Sequence, residues 1–283
     1  MKARIKRGVA AAAVLLSATT AMVVGSASGG SADAPPSLRA YGITADGKLM
    51  FTFTTDHPQV FDWVRTVTGL SGHDTALVGL DFRVQDGALY GVGNYGGIYK
   101  IPVTGDAVTK VSQLAVSLEG KNFGVDFNPA ADRLRVISDT GQNLRHNLND
   151  GTTIKDKPLN LNGATATGVT AAAYTNNDLN SSTGTTLFDI GTAGDQVLIQ
   201  SPPNDGTLAP TGSLGVDAGV NAGFDIYSNL VGGKADSLLA FAALNTMSGS
   251  AFYTINLLSG AATAVGSFPL SVGDIAVALN PPY

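Results

Sequence analysis

One short pattern recurs five times along this 283-residue chain. The pentads VGLDF, FGVDF, TGVTA, AGFDI and VGDIA begin at Val78, Phe123, Thr167, Ala222 and Val272, which are separated by 45, 44, 55 and 50 residues. After each of the first four pentads come three further runs of strand-forming residues, with turn dipeptides such as Asp86-Gly87 and Asp205-Gly206 between runs. Four strands with a period of about 40 to 50 residues predict the blade of a β-propeller.

The two ends of the chain together supply one more blade. LRAYGIT, KLMFTFT and DWVRTVTG, near the N-terminus, match the second, third and fourth strands of a unit that lacks its first. VGDIAVAL, near the C-terminus, is a first strand without the rest of its unit. Pairing the two ends closes a ring and removes exposed sheet edges. We therefore predict an all-β propeller of five four-stranded blades, a single domain over residues 38–283, with a β-sandwich or a β-solenoid as the alternative for such regularly spaced strands.

The N-terminus has the features of an export signal. Lys2, Arg4, Lys6 and Arg7 precede an uncharged, mostly apolar run of 16 residues, 9–24, which small residues follow. This run is shorter than the ~20 residues of a membrane span, so it predicts a cleavable secretory signal peptide over residues 1–27, with an uncleaved anchor helix as the alternative. Residues 28–37 are expected to be a flexible leader. The mature protein is therefore expected to be secreted, without a membrane span.

Charge and cysteine content limit the partners of the mature chain. There is no Cys, so a packed core must stabilise the fold without disulfides. Without the four basic residues of the signal, 13 basic residues remain against 22 acidic ones, a net charge near −9. Nucleic acids and anionic lipids bind basic surfaces, so neither is an expected partner. We expect a monomer that binds a small molecule, a glycan or a protein.

Several segments of the chain resemble one known family. GVDFNPAADRLRVISDTGQNLR, at 124–145, carries most of the likeness, and AAAYTNN, LFDI and QSPPNDGTLAPTGSLGVD add to it. The segments resemble, in order, a bacterial exported family known only as domain of unknown function 4394, from about Leu38 to Pro281. The resemblance implies a propeller-like all-β domain. It implies no activity, because the family has none to carry over.

The segment 123–147 holds three arginines and three aspartates among strand-forming residues: Arg133, Arg135, Arg145, Asp126, Asp132 and Asp139. Arg135 and Arg145 are expected on one face of adjacent strands, where they repel unless acids or a ligand anion lies between them. The equal numbers of acids and bases favour a structural network that braces neighbouring blades. The alternative is an anion- or sugar-binding patch, because arginine pairs with carboxylates, phosphates and hydroxyls.

The pentad aspartates are a second set of candidate binding residues. Asp81, Asp126 and Asp225 share one place in three pentads, Thr170 replaces the aspartate in TGVTA, and Asp274 falls one place early. First strands line the channel of a propeller, so a ring of carboxylates there is a candidate Ca²⁺ site. Alternatively, aspartates beside glycine bond backbone amides. We predict no resident cofactor, with Ca²⁺ as the one candidate.

Catalytic motifs are scarce. The chain has no G-x-S-x-G element, and His57, His73 and His146 form no local zinc-binding pair. His146, between Leu144 and Leu148, is expected to be a buried structural residue. The sequence therefore favours an exported, non-catalytic module that binds a ligand or a protein. The alternatives are a metal-assisted hydrolase or lyase that uses the channel aspartates, and a structural interaction protein of the cell surface.

Overall fold

The structure, a computed structural model, describes residues 35–104 and 106–279. The predicted signal peptide, residues 1–27, and residues 28–34 of the predicted leader lie outside the described residues. The described chain forms five antiparallel sheets, four with four strands and one with six. No helix among these residues is long and apolar enough to cross a bilayer.

Each sheet is one blade, in which the first-named strand below is the innermost. Blade 1 contains β22 (Val272–Val277), β1 (Arg39–Thr44), β2 (Leu49–Thr54) and β3 (Trp63–Thr66). Blade 2 contains β4 (Leu77–Arg83), β5 (Ala88–Gly93), β6 (Gly97–Ile101) and β7 (Thr109–Gln113). Blade 3 contains β8 (Phe123–Asn128), β9 (Arg133–Ser138), β10 (Asn143–His146) and β11 (Thr153–Lys155). Blade 4 contains β14 (Val169–Tyr174), β15 (Leu187–Gly191), β16 (Gln196–Gln200) and β17 (Thr207–Ser213). Blade 5 contains β18 (Ala222–Val231), β19 (Lys234–Thr246), β20 (Gly249–Ile255) and β21 (Ala262–Ser267).

The ring closes as the sequence predicts. The C-terminal strand β22 pairs antiparallel with β1, with Tyr41 opposite Ala276. The innermost strands β22, β4, β8, β14 and β18 pack against one another in this cyclic order, and β18 returns to β22. The five-bladed propeller is therefore confirmed, and the sandwich and solenoid alternatives are wrong.

Blade 4 departs from the four-strand pattern in a way the sequence did not predict. Two short strands, β12 (Asn160–Leu161) and β13 (Ala164–Thr165), extend its outer edge, and β12 pairs in parallel with β17. Between β16 and β17, residues Pro203–Asp205 form one turn of 3-10 helix. The left-handed φ of 64° at Gly206, which glycine adopts without strain, ends this turn. The turn brings Asn204 against blade 3.

The hydrophobic core lies between neighbouring blades. Between blades 1 and 5, for example, Phe53, Phe252 and Phe268 are buried and meet edge to face, with ring centroids 5.1–5.7 Å apart. Burial of each such side chain contributes about 1.5–3 kcal/mol. Near the axis the backbones themselves approach, because a Cβ at Gly124 would lie 2.6 Å from the amide nitrogen of Ala172 in the next blade. The pentad glycine therefore permits close packing of two innermost strands.

Candidate functional site

A cavity of about 270 Å³ lies between blades 3 and 4. We call it the arginine cavity; its lining consists of Asn128, Ala131, Arg133, Arg135, Arg145, Tyr174, Thr185, Pro203 and Asn204. Arg135 on β9 lies directly opposite Arg145 on β10, so the two side chains share one face, as predicted. The cavity therefore has two cross-strand arginines with a third, Arg133, on the same strand as Arg135.

Arg135 is the most deeply buried of these cations, with 1% of its surface exposed. Its Nη1 donates to Oδ2 of Asp156 at 2.6 Å and to Oδ1 of Asn143 at 2.8 Å. Its Nη2 donates to Oδ1 of Asn204 at 2.8 Å, and its Nε to the hydroxyl of Tyr174 at 3.3 Å. Tyr174 and Asn204 belong to blade 4, so Arg135 braces blade 3 against blade 4.

Asp156, immediately after β11, accepts hydrogen bonds from both cross-strand arginines, Arg135 and Arg145. Arg145 donates to it through Nε at 2.6 Å and Nη2 at 2.9 Å, a bidentate pair. These bonds raise the pKa of Arg145. The Asp156 side chain is 5% exposed, so this carboxylate is shielded from solvent. Sequence analysis did not select Asp156, although its place after the strand that pairs with β10 was the available signal.

The three aspartates predicted to neutralise the arginines of 123–147 have other partners. Asp132 accepts from Nε and Nη2 of Arg83 in blade 2, at 2.7 and 2.6 Å. Asp139 accepts from the backbone amides of Lys121 and Asn122, in the loop before β8. Asp126 accepts from the backbone amide of Tyr174. Bracing between blades is thus present, but the predicted pairing within this segment is wrong.

This pairing leaves positive charge at the arginine cavity. Arg133 donates to the backbone carbonyls of Ala131 and Asp132, which are uncharged acceptors. Among the described residues, Asp156 is the only carboxylate in an ion pair with Arg133, Arg135 or Arg145. Three guanidinium groups therefore lie beside one bonded carboxylate.

A further buried carboxyl, Asp189 on β15, does not line the cavity. Both of its oxygens are without a hydrogen-bond partner among the described residues. Burial raises the pKa of Asp189 well above its ordinary value, and attraction to Arg135 only partly opposes this effect. The neutral form is thus favoured, which limits the charge that Asp189 offers to Arg135.

The pentad aspartates join neighbouring innermost strands through hydrogen bonds to backbone amides. We call these bonds latches, and the place of the aspartate in each innermost strand the latch position. Asp81 accepts from the amide of Phe127 at 2.7 Å, and Asp126 from that of Tyr174 at 3.1 Å. Asp225 accepts from the amide of Val277 at 2.5 Å. In each case the donor belongs to the next blade in the ring. The expectation that these carboxylates bond backbone amides is confirmed.

The same bonds correct the alignment of two pentads. Because Phe127 and Tyr174 donate equivalently, Ala173 rather than Thr170 occupies the aspartate position in blade 4. In blade 1 the donor Val277 places Ala276 at that position, so Asp274 lies two residues before it. Asp274 accepts from the amide of Leu80 in blade 2 at 2.9 Å, so it also joins two innermost strands, but from a place two residues before the aspartate position.

Three of these carboxyls are close enough to share a cation. One oxygen from each of Asp81, Asp126 and Asp225 lies within 4.8 Å of the others, and all three residues are buried. Burial is the largest cause that raises the pKa of each, and Asp225 reaches about 7. A cation at this position would compete with protons for oxygens that already accept amide hydrogens.

His146 is buried and structural, as predicted. Its Nε2 lies 2.8 Å from Oγ of Ser112 in blade 2, and its Nδ1 lies 2.9 Å from Oγ1 of Thr153. Burial lowers the pKa of His146. Both ring nitrogens are thus engaged in joining strands.

Comparison with known proteins places this fold in a family. A family model described as Domain of unknown function (DUF4394) matches residues 49–276. The chain belongs to this family. No match was found among curated proteins for this DUF4394 chain.

Solved structures similar to this DUF4394 chain have low sequence identity. The Nidogen/Laminin complex is 11% identical at a TM-score of 0.47, with 86% of this chain and 100% of that one covered. A protein of unknown function from Bacteroides thetaiotaomicron is 13% identical at 0.46, covering 87% and 68%. An auxiliary nutrient binding protein from Bacteroides ovatus is 13% identical at 0.41, covering 75% and 52%, so this chain spans about half of its length. All three scores are below 0.5, and the strand pairing itself establishes the propeller.

The raised pKa values of the channel carboxyls predict that the free energy of unfolding falls as pH rises through the range in which these groups titrate. The folded pKa of Asp225 is about 7, above the ordinary 3.8, so between these values the folded state binds more protons than the unfolded state. One such group makes stability fall by up to about 1.4 kcal/mol per pH unit as pH rises through this window. His146, whose pKa burial lowers, acts in the opposite direction below 6.5.

Urea unfolding of the wild type and of Asp225→Asn between pH 4.5 and 7.5 tests the channel carboxyls, because His146 contributes equally to both proteins and the loss of Asp225 also lowers the pKa of Asp81 and Asp126. We expect the decline in stability with rising pH to be steeper in the wild type. Equal slopes in the two proteins would contradict the assignment. Asp274→Asn provides a second variant, since burial also raises the pKa of Asp274.

Proposed function

We propose that this protein is an exported, non-catalytic binding module whose arginine cavity holds a small oxyanion, carried as a carboxylate, sulfate or phosphate group. The observation that supports this function is the shared cavity of Arg133, Arg135 and Arg145, which among residues 35–104 and 106–279 have Asp156 as their one paired carboxylate. Guanidinium groups bind such anions through two parallel hydrogen bonds. In a cavity of about 270 Å³, partial exclusion of water strengthens that attraction.

The two cross-strand arginines have different parts in this proposal. Arg135 is held on four sides and supplies fixed positive charge at the base of the cavity. Arg145 has 27% of its side chain exposed, so it is accessible to an incoming ligand. Exported location and a monomeric state are parts of the same proposal; the N-terminal pattern supports the first, and the closed ring, which leaves no innermost strand unpaired, supports the second.

Isothermal titration calorimetry with sulfate, phosphate and citrate, at constant ionic strength, tests the proposal. We expect saturable binding of at least one anion, and affinity roughly 10- to 100-fold weaker in Arg145→Gln, because a charged hydrogen-bond pair is lost. Arg39→Gln is the matched control: Arg39 also pairs with one carboxylate, Asp62, but lies outside the cavity. Absence of binding by all three anions, or equal affinity in Arg145→Gln, would contradict the proposal.

The metal-assisted hydrolase or lyase is the second candidate, because oxygens of Asp81, Asp126 and Asp225 lie within 4.8 Å of one another. Hydrogen bonds from amides to these carboxylates argue for a latch instead. We expect EDTA to change the melting temperature little, because a latch to backbone amides needs no cation, whereas a cation bound only to the folded state would add stability by mass action. A large decrease on chelation that disappears in Asp126→Asn would favour the metalloenzyme.

A further inference from the structure

The central channel opens into a second cavity, of about 220 Å³, where the innermost strands begin. We call it the funnel; each blade contributes the residue three places before its latch position, namely Val78, Phe123, Thr170, Ala222 and Gly273. It shares no lining residue with the arginine cavity. All five blades therefore meet around a concave site that the proposed anion binding does not use.

The amide of Asn221 marks the polar side of the funnel. Its Oδ1 is buried and without a hydrogen-bond partner among the described residues. Its Nδ2 contacts Oδ1 of Asn122 at 3.5 Å, the outer limit of a hydrogen bond. A buried acceptor without a donor is unfavourable, so a rotation of the weakly held Asn221 side chain that brings Oδ1 to a hydrogen-bond donor in the funnel removes this penalty.

The charges in the lining of the funnel cancel. Asp46 of blade 1 and Lys121, just before blade 3, both line it, and both are exposed. The funnel therefore lacks the single-sign field of the arginine cavity, and a neutral ligand fits it better than an anion. Its volume is below the ~300–1,000 Å³ typical of sites for drug-sized ligands, which favours a smaller molecule.

Apolar side chains line the funnel beside these amides. Asn94 lines the funnel, with its Oδ1 bonded to the amides of Thr75 and Ala76. Leu77, Val78 and Phe123 line it as well. Amide groups and apolar side chains together suit a molecule with both hydroxyl groups and C–H surfaces.

We propose that the funnel binds a neutral monosaccharide, with a sugar hydroxyl donating to Oδ1 of Asn221. The ligand contacts the ends of several innermost strands, so it stabilises the closed ring as it binds. This site is independent of the arginine cavity, and its test separates the two.

Saturation-transfer NMR and calorimetry with glucose, galactose, mannose, arabinose and N-acetylglucosamine provide the test. We expect saturable binding of at least one of these sugars, with affinity about tenfold weaker in Asn221→Ala and in Asn221→Leu. Both variants keep the backbone carbonyl that accepts from Asn245. Asn229→Ala, at an exposed position on β18 outside the funnel, is the matched control and is expected to bind normally.

Three results would overturn the inference. The first is that none of the five sugars binds to the wild type. The second is unchanged affinity in a folded Asn221 variant. The third is loss of sugar binding in Arg145→Gln, which would assign the sugar to the arginine cavity.

Discussion

Truncation before Val272 is expected to abolish cooperative folding of this domain. The deletion removes β22, the innermost strand of blade 1, and with it the buried side chains of Val272, Ile275 and Val277. At about 1.5–3 kcal/mol for each of these side chains, the loss is comparable to the ~5–15 kcal/mol that stabilises a typical domain. Near-UV circular dichroism and thermal unfolding of the truncated chain measure the effect.

The position of β22 makes this strand more important than an edge strand of the same length. It packs against β4 on one side and β18 on the other, so its loss opens the ring. Two latches also disappear: Asp274 to the amide of Leu80, and Asp225 to the amide of Val277. Asp225 is then left buried without one of its donors, which adds to the cost.

A chain that ends after Leu279 is the matched control, because it retains β22. We expect it to melt at the temperature of the full mature chain. If the chain truncated before Val272 also melts there, the closed ring does not determine stability and this account of the fold is incorrect.

The propeller was predictable because each blade contains its own short segment of similar sequence, the pentad, followed by further strand-forming runs. Each pentad marks an innermost strand, and in VGLDF, FGVDF and AGFDI the glycine and the aspartate contact the next blade, as Gly124 and Asp81 show. Circular closure followed from the unmatched strands at the two ends. These features depend on the order of strands along the chain, which a single sequence displays directly.

The aspartate position in blade 4 was not predictable from pentad similarity. TGVTA aligns Thr170 with the pentad aspartates, but the segment of blade 4 that is equivalent to VGLDF and FGVDF begins three residues later and reads TAAAY, Thr170–Tyr174. This segment has neither the glycine nor the aspartate of those pentads, so the sequence offers nothing that would align it correctly. Only the hydrogen bond from Tyr174 to Asp126, between blades, reveals that Ala173 occupies the position.

The ion pairs of residues 123–147 were also not predictable from the sequence. Equal numbers of acids and bases in residues 123–147 suggested mutual neutralisation, yet Asp132 pairs with Arg83, 49 residues away in the chain. Arg135 binds Asp156 and Asn204, at separations of 21 and 69 residues. Neighbours across strands of one blade, as for Arg135 and Asp156, or across two blades, as for Arg83 and Asp132, determine these ion pairs, and such neighbours are distant in sequence.

The second large effect on stability is expected at the ion pair of Arg135 and Asp156. Arg135→Ala leaves Asp156 with Arg145 alone and removes the bonds to Tyr174 and Asn204. Removing one partner of a buried ion pair typically costs about 3–5 kcal/mol, and Arg135 is 1% exposed. We expect a loss of this size in urea unfolding, and one at least as large for Asp156→Ala, because that change leaves Arg135 buried without a counter-ion while only Arg145 can turn toward solvent.

A double-mutant cycle identifies the partner. The double mutant Arg135→Ala/Asp156→Ala is expected to cost less than the sum of the single mutants, by about 0.5–3 kcal/mol, since the residues are in contact. Asp139→Asn provides the control, because Asp139 bonds the loop amides of Lys121 and Asn122 instead. Its effect is expected to add to that of Arg135→Ala within ~0.5 kcal/mol. Coupling to Asp139 rather than to Asp156 would restore the pairing inferred from the sequence.

The Asp156→Ala variant also connects stability to the proposed function. It leaves Arg135 and Arg145 facing each other on adjacent strands without the carboxylate that separates their charges. An oxyanion that enters the cavity then replaces that carboxylate and stabilises the folded state by mass action. We therefore expect sulfate to raise the melting temperature of Asp156→Ala more than that of the wild type, at matched ionic strength. If sulfate affects both proteins equally, the arginines brace the blades without serving as an anion site.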